Sequence, residues 1–280
     1  VPPASLFLSR PTLARFSDQG NIGRFADEAI MKFPGVALTI AITAAMTAGA
    51  FAQEPTKGGQ AFLGAPGLPA AAFPKPSRPV AEIISPIFDT EANRDAAKET
   101  EQVFALMNLK PGMSVADIGA GSGYYTIRLA KLLGPDGRVF AQDVMPNYLR
   151  DLNARILKAR LPTVTVSRGE PHDPRLPANS IDAAVLVHMY HEIAQPFAFL
   201  HNLAVAMKQG GIVGILDADR QTWQHGTPPA LLRCEMAAIG YREVSFTTLT
   251  GRLGYLAIFK APDAAARKIP SEVEACPVKE

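Results

Sequence analysis

Apolar residues recur through the middle of the chain with two alternating periods, one helical and one extended. Thr100, Val103, Phe104 and Met107 fall three or four positions apart and stop at Lys110-Pro111-Gly112, which predicts a helix closed by a proline–glycine break. Residues 114–118 then predict a short strand that runs into a glycine cluster. Tyr125, Leu129, Leu132 and Leu133 mark one face of a helix ended by Gly134-Pro135. Residues 138–143 read as a second strand, Leu149, Leu152, Ile156 and Ala159 as the next helical stripe, and residues 164–167 as a third strand. Residues 181–187 form a continuous apolar run, as expected of a parallel strand covered on both faces. Phe197, Leu200, Ala204 and Met207 give another helix before Gly210-Gly211. Residues 212–216 give a fifth strand, and Leu232, Met236 and Ile239 a last helix ended by Gly240. Two further strands, about 244–249 and 254–260, lie close enough in sequence to pair as a hairpin. Strands separated by helices predict an α/β fold. The expected architecture is a Rossmann-like, seven-stranded, mostly parallel sheet with helices on both faces and a terminal antiparallel hairpin.

The pattern is different before residue 89. Residues 33–52 carry no charge, follow Met31-Lys32 and close on Ala50-Phe51-Ala52. A short basic start, an apolar stretch and a small-x-small site predict a secretory signal peptide over 31–52. An uncleaved membrane helix and a buried helix are the alternatives. On this reading Met31 is the true start and residues 1–30 are an upstream extension. The mature protein is then expected in the periplasm, beginning at Gln53 and meeting the membrane only during export. Residues 53–88 hold Pro55, Pro66, Pro69, Pro74, Pro76, Pro79 and Pro86, which predicts an extended linker or wrapping arm without helix or sheet. The folded domain is expected over 89–262, followed by a polar tail over 263–280.

Composition adds limits. A hydrophobic share of 48% with 19% charged residues fits a globular protein. Lysine plus arginine is 28 against 26 for aspartate plus glutamate, so the charge of +2 gives no electrostatic case for a nucleic-acid partner. Cys234 and Cys276 form no CxxC pair and are read as two free thiols, Cys276 lying in the tail; pairing is the alternative for an exported chain.

The chemistry concentrates in Val115-Ala116-Asp117-Ile118-Gly119-Ala120-Gly121-Ser122-Gly123, which follows a predicted strand and opens a helix. Glycines there permit unusual backbone angles and close approach of a ligand to the main chain. Twenty residues after Gly123, Asp143 ends the second strand, where a carboxylate can accept hydrogen bonds from ribose hydroxyls. The spacing is GxGxG rather than the GxGxxG of dinucleotide sites, and Asp117 suits a cationic sulfonium better than an anionic pyrophosphate.

The run DIGAGSGYYTIRLAKLLGPDGRVFAQD is similar to the cofactor-binding segment of class I S-adenosylmethionine-dependent methyltransferases, and the likeness extends over roughly residues 90–260. The resemblance implies S-adenosylmethionine as cofactor; the acceptor is not identified by the sequence, and a small molecule is expected. It implies that Asp117, Gly119 and Gly121 lie beside the methionine portion, with Ala120 and Gly123 in the same turn, and that Asp143, followed by Val144, holds the ribose. It further implies an acidic residue facing the adenine amine, for which Glu170 is the first choice and Asp173 the second. Tyr190 and His191 follow the fourth strand, where the methyl should emerge, so His191 is expected to orient the acceptor or take its proton. Asp217, Asp219 and Arg220 follow the fifth strand, and Trp223 and His225 occupy the next loop as candidates for an acceptor pocket. His188, His191 and Asp219 do not make a convincing ligand set, so no metal is expected. The competing readings are an exported adenosyl-ligand-binding module without transferase activity, and an NAD-dependent oxidoreductase. Nothing in the sequence fixes an oligomeric state.

Overall fold

A computed structural model describes residues 61–83 and 89–277, all within one compact unit, Pro55–Glu280. The expected signal peptide and the segment before it lie outside the described residues. Among the described residues no helix is long and apolar enough to cross a membrane.

Seven strands form one sheet: β1 (Ser114–Ile118), β2 (Arg138–Asp143), β3 (Val164–Arg168), β4 (Ile181–Val187), β5 (Met207–Asp217), β6 (Arg242–Thr248) and β7 (Tyr255–Lys260). Their order is β3-β2-β1-β4-β5-β7-β6. β3, β2, β1, β4 and β5 pair in parallel, while β7 runs antiparallel to both β5 and β6. The sheet expected from the alternation is therefore the one observed. β1 and β4 are adjacent at its centre, where the strand order reverses, so ligands are expected beyond their carboxyl ends.

The helices are α1 (Glu91–Ala96), α2 (Glu99–Leu106), α3 (Tyr124–Leu133), α4 (Pro146–Ala159), α5 (Pro196–Ala206) and α6 (Pro229–Ile239). α5 and α6 pack on the cluster that contains Ala184, Leu186 and Ile215, while α2 and α3 pack on a second cluster around Val115, Val139 and Val185. Adjacent strand residues thus divide between two cores, as the pleat requires. Two elements depart from the sequence expectation. Lys98 takes a left-handed φ of 53° and separates α1 from α2. β5 starts at Met207, which pairs with Ile181 instead of ending the helix, and the irregularity between Ile181 and Ala183 takes up the extra residues.

Residues 61–83 of the proline-rich segment wrap the domain. Gly64 N–H donates to the Arg175 carbonyl at 2.7 Å, and the backbone of Leu68 exchanges hydrogen bonds with the Asn202 side chain at 2.9 and 3.0 Å. Phe73 and Ala81 are buried. The segment was expected to lack helix, yet it contains one 3₁₀ turn, Ala70–Ala72. Its firmest anchor is Arg78, whose guanidinium meets Glu235 of α6 at 2.8 Å with both side chains 1% exposed.

The chain after β7 also returns to the domain. Val273 and Cys276 are buried, and Cys276 is joined to Cys234 of α6 by a disulfide across a Cα–Cα distance of 5.9 Å. This corrects the expectation of two free thiols, and of a merely polar tail. The apolar pair packs against α6, which brings the sulfurs together despite 42 residues of separation.

Candidate active site

The carboxyl ends of β1, β2 and β4 open onto a cavity of about 340 Å³. Its floor is the turn after β1. Gly119, Gly121 and Gly123 take φ values of 68°, 51° and 87°, a region that disfavours any side chain. A Cβ on Gly119 would also meet the Met189 side chain at 2.9 Å, and one on Gly123 would meet Leu152 at 2.4 Å. The turn therefore needs glycine for both backbone angle and space.

Asp143 faces this turn. One carboxylate oxygen accepts the Gly121 N–H at 2.9 Å, and the other accepts the Met145 N–H at 2.9 Å. The residue thereby ties β2 to the glycine bend while still lining the cavity. Its burial raises its pKa above the ordinary carboxylate value, against the three backbone N–H groups that favour the charged form. Asp117 is buried on the same wall and accepts a 2.5 Å hydrogen bond from Thr126. Burial pushes its pKa up to about 6, opposed by that hydrogen bond and by the Arg94 charge.

Ala120, Val144 and Glu170 also line the cavity, whereas Gly123 caps α3 behind it. Glu170 pairs with Arg175 at 3.2 Å. Asp173 is turned toward the arm, accepting the Gly67 N–H at 2.7 Å and the Arg175 N–H at 2.8 Å. Of the two acidic candidates for the adenine amine, only Glu170 is on the wall. Gln142 is also there, buried, with an Nε2 that has no hydrogen-bond partner among the described residues.

The opposite end of the cavity is built from the 3₁₀ turn Tyr190–Glu192 and the loop after β5. His191 Nδ1 lies 3.0 and 3.1 Å from the two oxygens of Asp217. Asp217 is in turn fixed by the Ala218 N–H at 2.9 Å and the Thr227 hydroxyl at 2.7 Å. An acceptor-only carboxylate selects the tautomer with the proton on Nδ1, which leaves Nε2 as the accepting nitrogen. Glu192 is half-buried, and burial pushes its pKa up to about 7. His225 lines the same end, its ring 5.5 Å from that of His191. Tyr190 is fully buried, donates to Glu235 at 2.8 Å and belongs to the core under the turn rather than to the wall. Asp219, Arg220 and Trp223 are exposed and off the cavity.

Gln142, Arg94 and Tyr148 are among the wall residues that went unnoticed in the sequence. Gln142 had a signal, since it is a polar residue within an otherwise apolar strand interior. Arg94 had none, because α1 is polar throughout and reads as a solvated face. It is in fact buried, salt-bridged to Glu99 at 2.6 Å and stacked 3.9 Å from the Tyr124 ring centroid. Tyr148, inside a polar first turn of α4, was equally silent.

The sheet order, its antiparallel end and the glycine bend define the Rossmann-like fold found in methyltransferases. Residues 115–211 match a family model described as a methyltransferase domain. A SAM-dependent methyltransferase from Aquifex aeolicus has a similar structure, with a TM-score of 0.55 and 22% identity over 63% of this chain and 100% of that one. Among curated sequences, the chain is 26% identical over 125 residues to the demethylmenaquinone methyltransferase of Geobacillus stearothermophilus, covering 45% of this chain and 53% of that protein. It is 31% identical over 137 residues to an uncharacterised 37.1 kDa protein in transposon TN4556 of Streptomyces fradiae, covering 48% of this chain and 39% of that protein. The chain thus spans about half the length, or less, of these curated relatives.

Proposed function

We propose that the chain is an S-adenosylmethionine-dependent methyltransferase acting on a small-molecule acceptor. The observation that carries this reading is the pair of carboxylates, Asp117 and Asp143, on one wall, with Asp143 bonded directly to the glycine bend. A buried anionic wall beside a bend open to the main chain suits an adenosyl ligand with ammonium and sulfonium charges, and repels a pyrophosphate. The unpartnered Gln142 Nε2 offers such a ligand a further donor. S-adenosylmethionine, when bound, supplies a methyl group on a sulfonium that leaves as the neutral thioether of S-adenosylhomocysteine. Asp143 would hold the ribose, Asp117 and the Gly119–Gly121 backbone the methionine portion, and Glu170 the adenine edge. His191, oriented by Asp217, would face the acceptor, and Ile83 and Ile193 would supply apolar wall. Most of the rate enhancement would come from holding the reactants in line. The demethylmenaquinone methyltransferases among the curated relatives support an acceptor that is not a macromolecule.

An exported protein fits the same reading. The Cys234–Cys276 disulfide suits an oxidising compartment and agrees with the signal-peptide pattern of residues 31–52.

Calorimetry with S-adenosylhomocysteine tests the ligand class. Binding is expected, and Asp143→Ala should weaken it by about 1–3 kcal/mol, the usual cost of leaving buried hydrogen-bonding groups unpaired. Binding of NADH without binding of S-adenosylhomocysteine would overturn the proposal. Tight binding without methyl transfer to any small-molecule fraction would identify a binding module instead.

A further inference from the structure

His191, Glu192 and His225 each present one ligating atom, and these atoms lie within 4.8 Å of one another. We propose that these three residues bind a first-row divalent metal ion of the zinc type at the acceptor end of the cavity. The sequence expectation of no metal weighed His188, His191 and Asp219; the fold makes a different group.

Four features of the structure support the site. The donor set is two imidazoles and one carboxylate, which suits zinc and its neighbours better than magnesium or calcium. Ions of this kind hold their ligands at about 2.0–2.2 Å in a tetrahedral arrangement, with donor atoms about 3.4 Å apart. Binding would draw the observed group, whose atoms lie within 4.8 Å of one another, in to that spacing. Next, the supporting shell is already built. Asp217 accepts a hydrogen bond from the Nδ1–H of His191, the carboxylate–histidine arrangement that fixes a metal-binding imidazole and raises the basicity of its other nitrogen. Asp217 is itself fully buried and held by Thr227 and the Ala218 N–H.

The backbone under the ligands is also restrained. Arg78 donates to the Ile193 carbonyl at 3.2 Å and to the His191 carbonyl at 3.5 Å, which clamps the turn that carries two of the ligands. His225 sits at a left-handed φ of 56°, ending a 3₁₀ turn whose Thr222 hydroxyl donates to the Pro79 carbonyl at 2.6 Å. Finally, three protein ligands facing a cavity leave a coordination position open, as in catalytic rather than structural zinc sites. Under the methyltransferase reading, and resting on it, the ion would hold an acceptor hydroxyl and lower its pKa. Its proton would pass to solvent before the oxygen takes the methyl and the sulfonium leaves as thioether, so that His191 acts through the metal rather than as a free base.

The test uses the full chain, stripped with chelator and titrated with Zn²⁺ by calorimetry in the absence of any adenosyl ligand. Its outcome is therefore independent of the test of the cofactor. One Zn²⁺ per chain is expected, with His225→Gln and Glu192→Gln each weakening binding more than tenfold, and Asp217→Asn weakening it about 10–100-fold. Co²⁺ loaded in place of Zn²⁺ should give visible absorption of a nitrogen–oxygen site without a thiolate band, since the two cysteines are joined. Absence of stoichiometric binding to the wild type would overturn the proposal, and so would affinity unchanged in both ligand variants. Should either variant misfold, the wild-type stoichiometry and the Co²⁺ spectrum still decide the question.

Discussion

At the scale of single residues, the acidic wall couples proton and ligand. Asp117 keeps its proton up to about pH 6 in the folded protein, whereas an unfolded aspartate loses it near 4. The folded state therefore binds more protons across that window, and the contribution of Asp117 to stability falls as pH rises through it. A cationic ligand favours the charged carboxylate, so binding should release a proton near pH 6 and tighten as pH rises from 5 to 7. Arg94 already acts in the same direction and Asp143 in the opposite one. Calorimetry of S-adenosylmethionine, which carries the sulfonium charge, at pH 5 and 7 should show several-fold tighter binding at the higher pH, and Asp117→Asn should flatten the difference. Asp117, Asp143 and the glycines were legible because their types are unusual for their places: an acid inside an apolar strand, and three glycines in five residues. His191 was legible as a position but not as a partner of Asp217. The two are 26 residues apart and meet only because β4 and β5 are neighbours.

At the scale of elements, periodicity identified every strand and most helix faces, because a half-buried element repeats its apolar positions at its own pitch. It could not identify the break at Lys98, where a lysine in a left-handed conformation leaves no mark in composition. It also missed the start of β5, since Met207 fits a helical stripe as well as a strand. The arm has no period at all; it is held by isolated contacts, backbone hydrogen bonds such as Gly64 to Arg175 and single side chains, Arg78 above all. Arg78 neutralises Glu235, which also accepts from Tyr190 at the base of the His191 turn. Arg78→Ala leaves that carboxylate buried and uncompensated, and is expected to cost about 3–5 kcal/mol. Urea denaturation measures the loss, and a cost below 1 kcal/mol would mean the arm is only laid against the domain.

At the scale of the whole molecule, the mostly parallel sheet and its antiparallel end followed from the alternation of strands and helices, but the closure of the chain did not. Cysteine spacing carries no information about which surfaces meet, and Cys276 reads as part of a tail until α6 is seen beneath it. A cross-link over 42 residues is expected to contribute about 2–4 kcal/mol. Cys276→Ser, or reduction, should therefore lower the melting temperature under otherwise equal conditions, and protein made in a reducing compartment should be the less stable form. The arm has a practical bearing on how the protein is to be dissected. A recombinant fragment begun at residue 89, where the alternation starts, would discard Phe73 and Arg78 and yield a truncated domain prone to aggregate. The shortest piece worth expressing begins ahead of residue 61, so the boundary drawn by similarity and the boundary drawn by folding are different places in the gene.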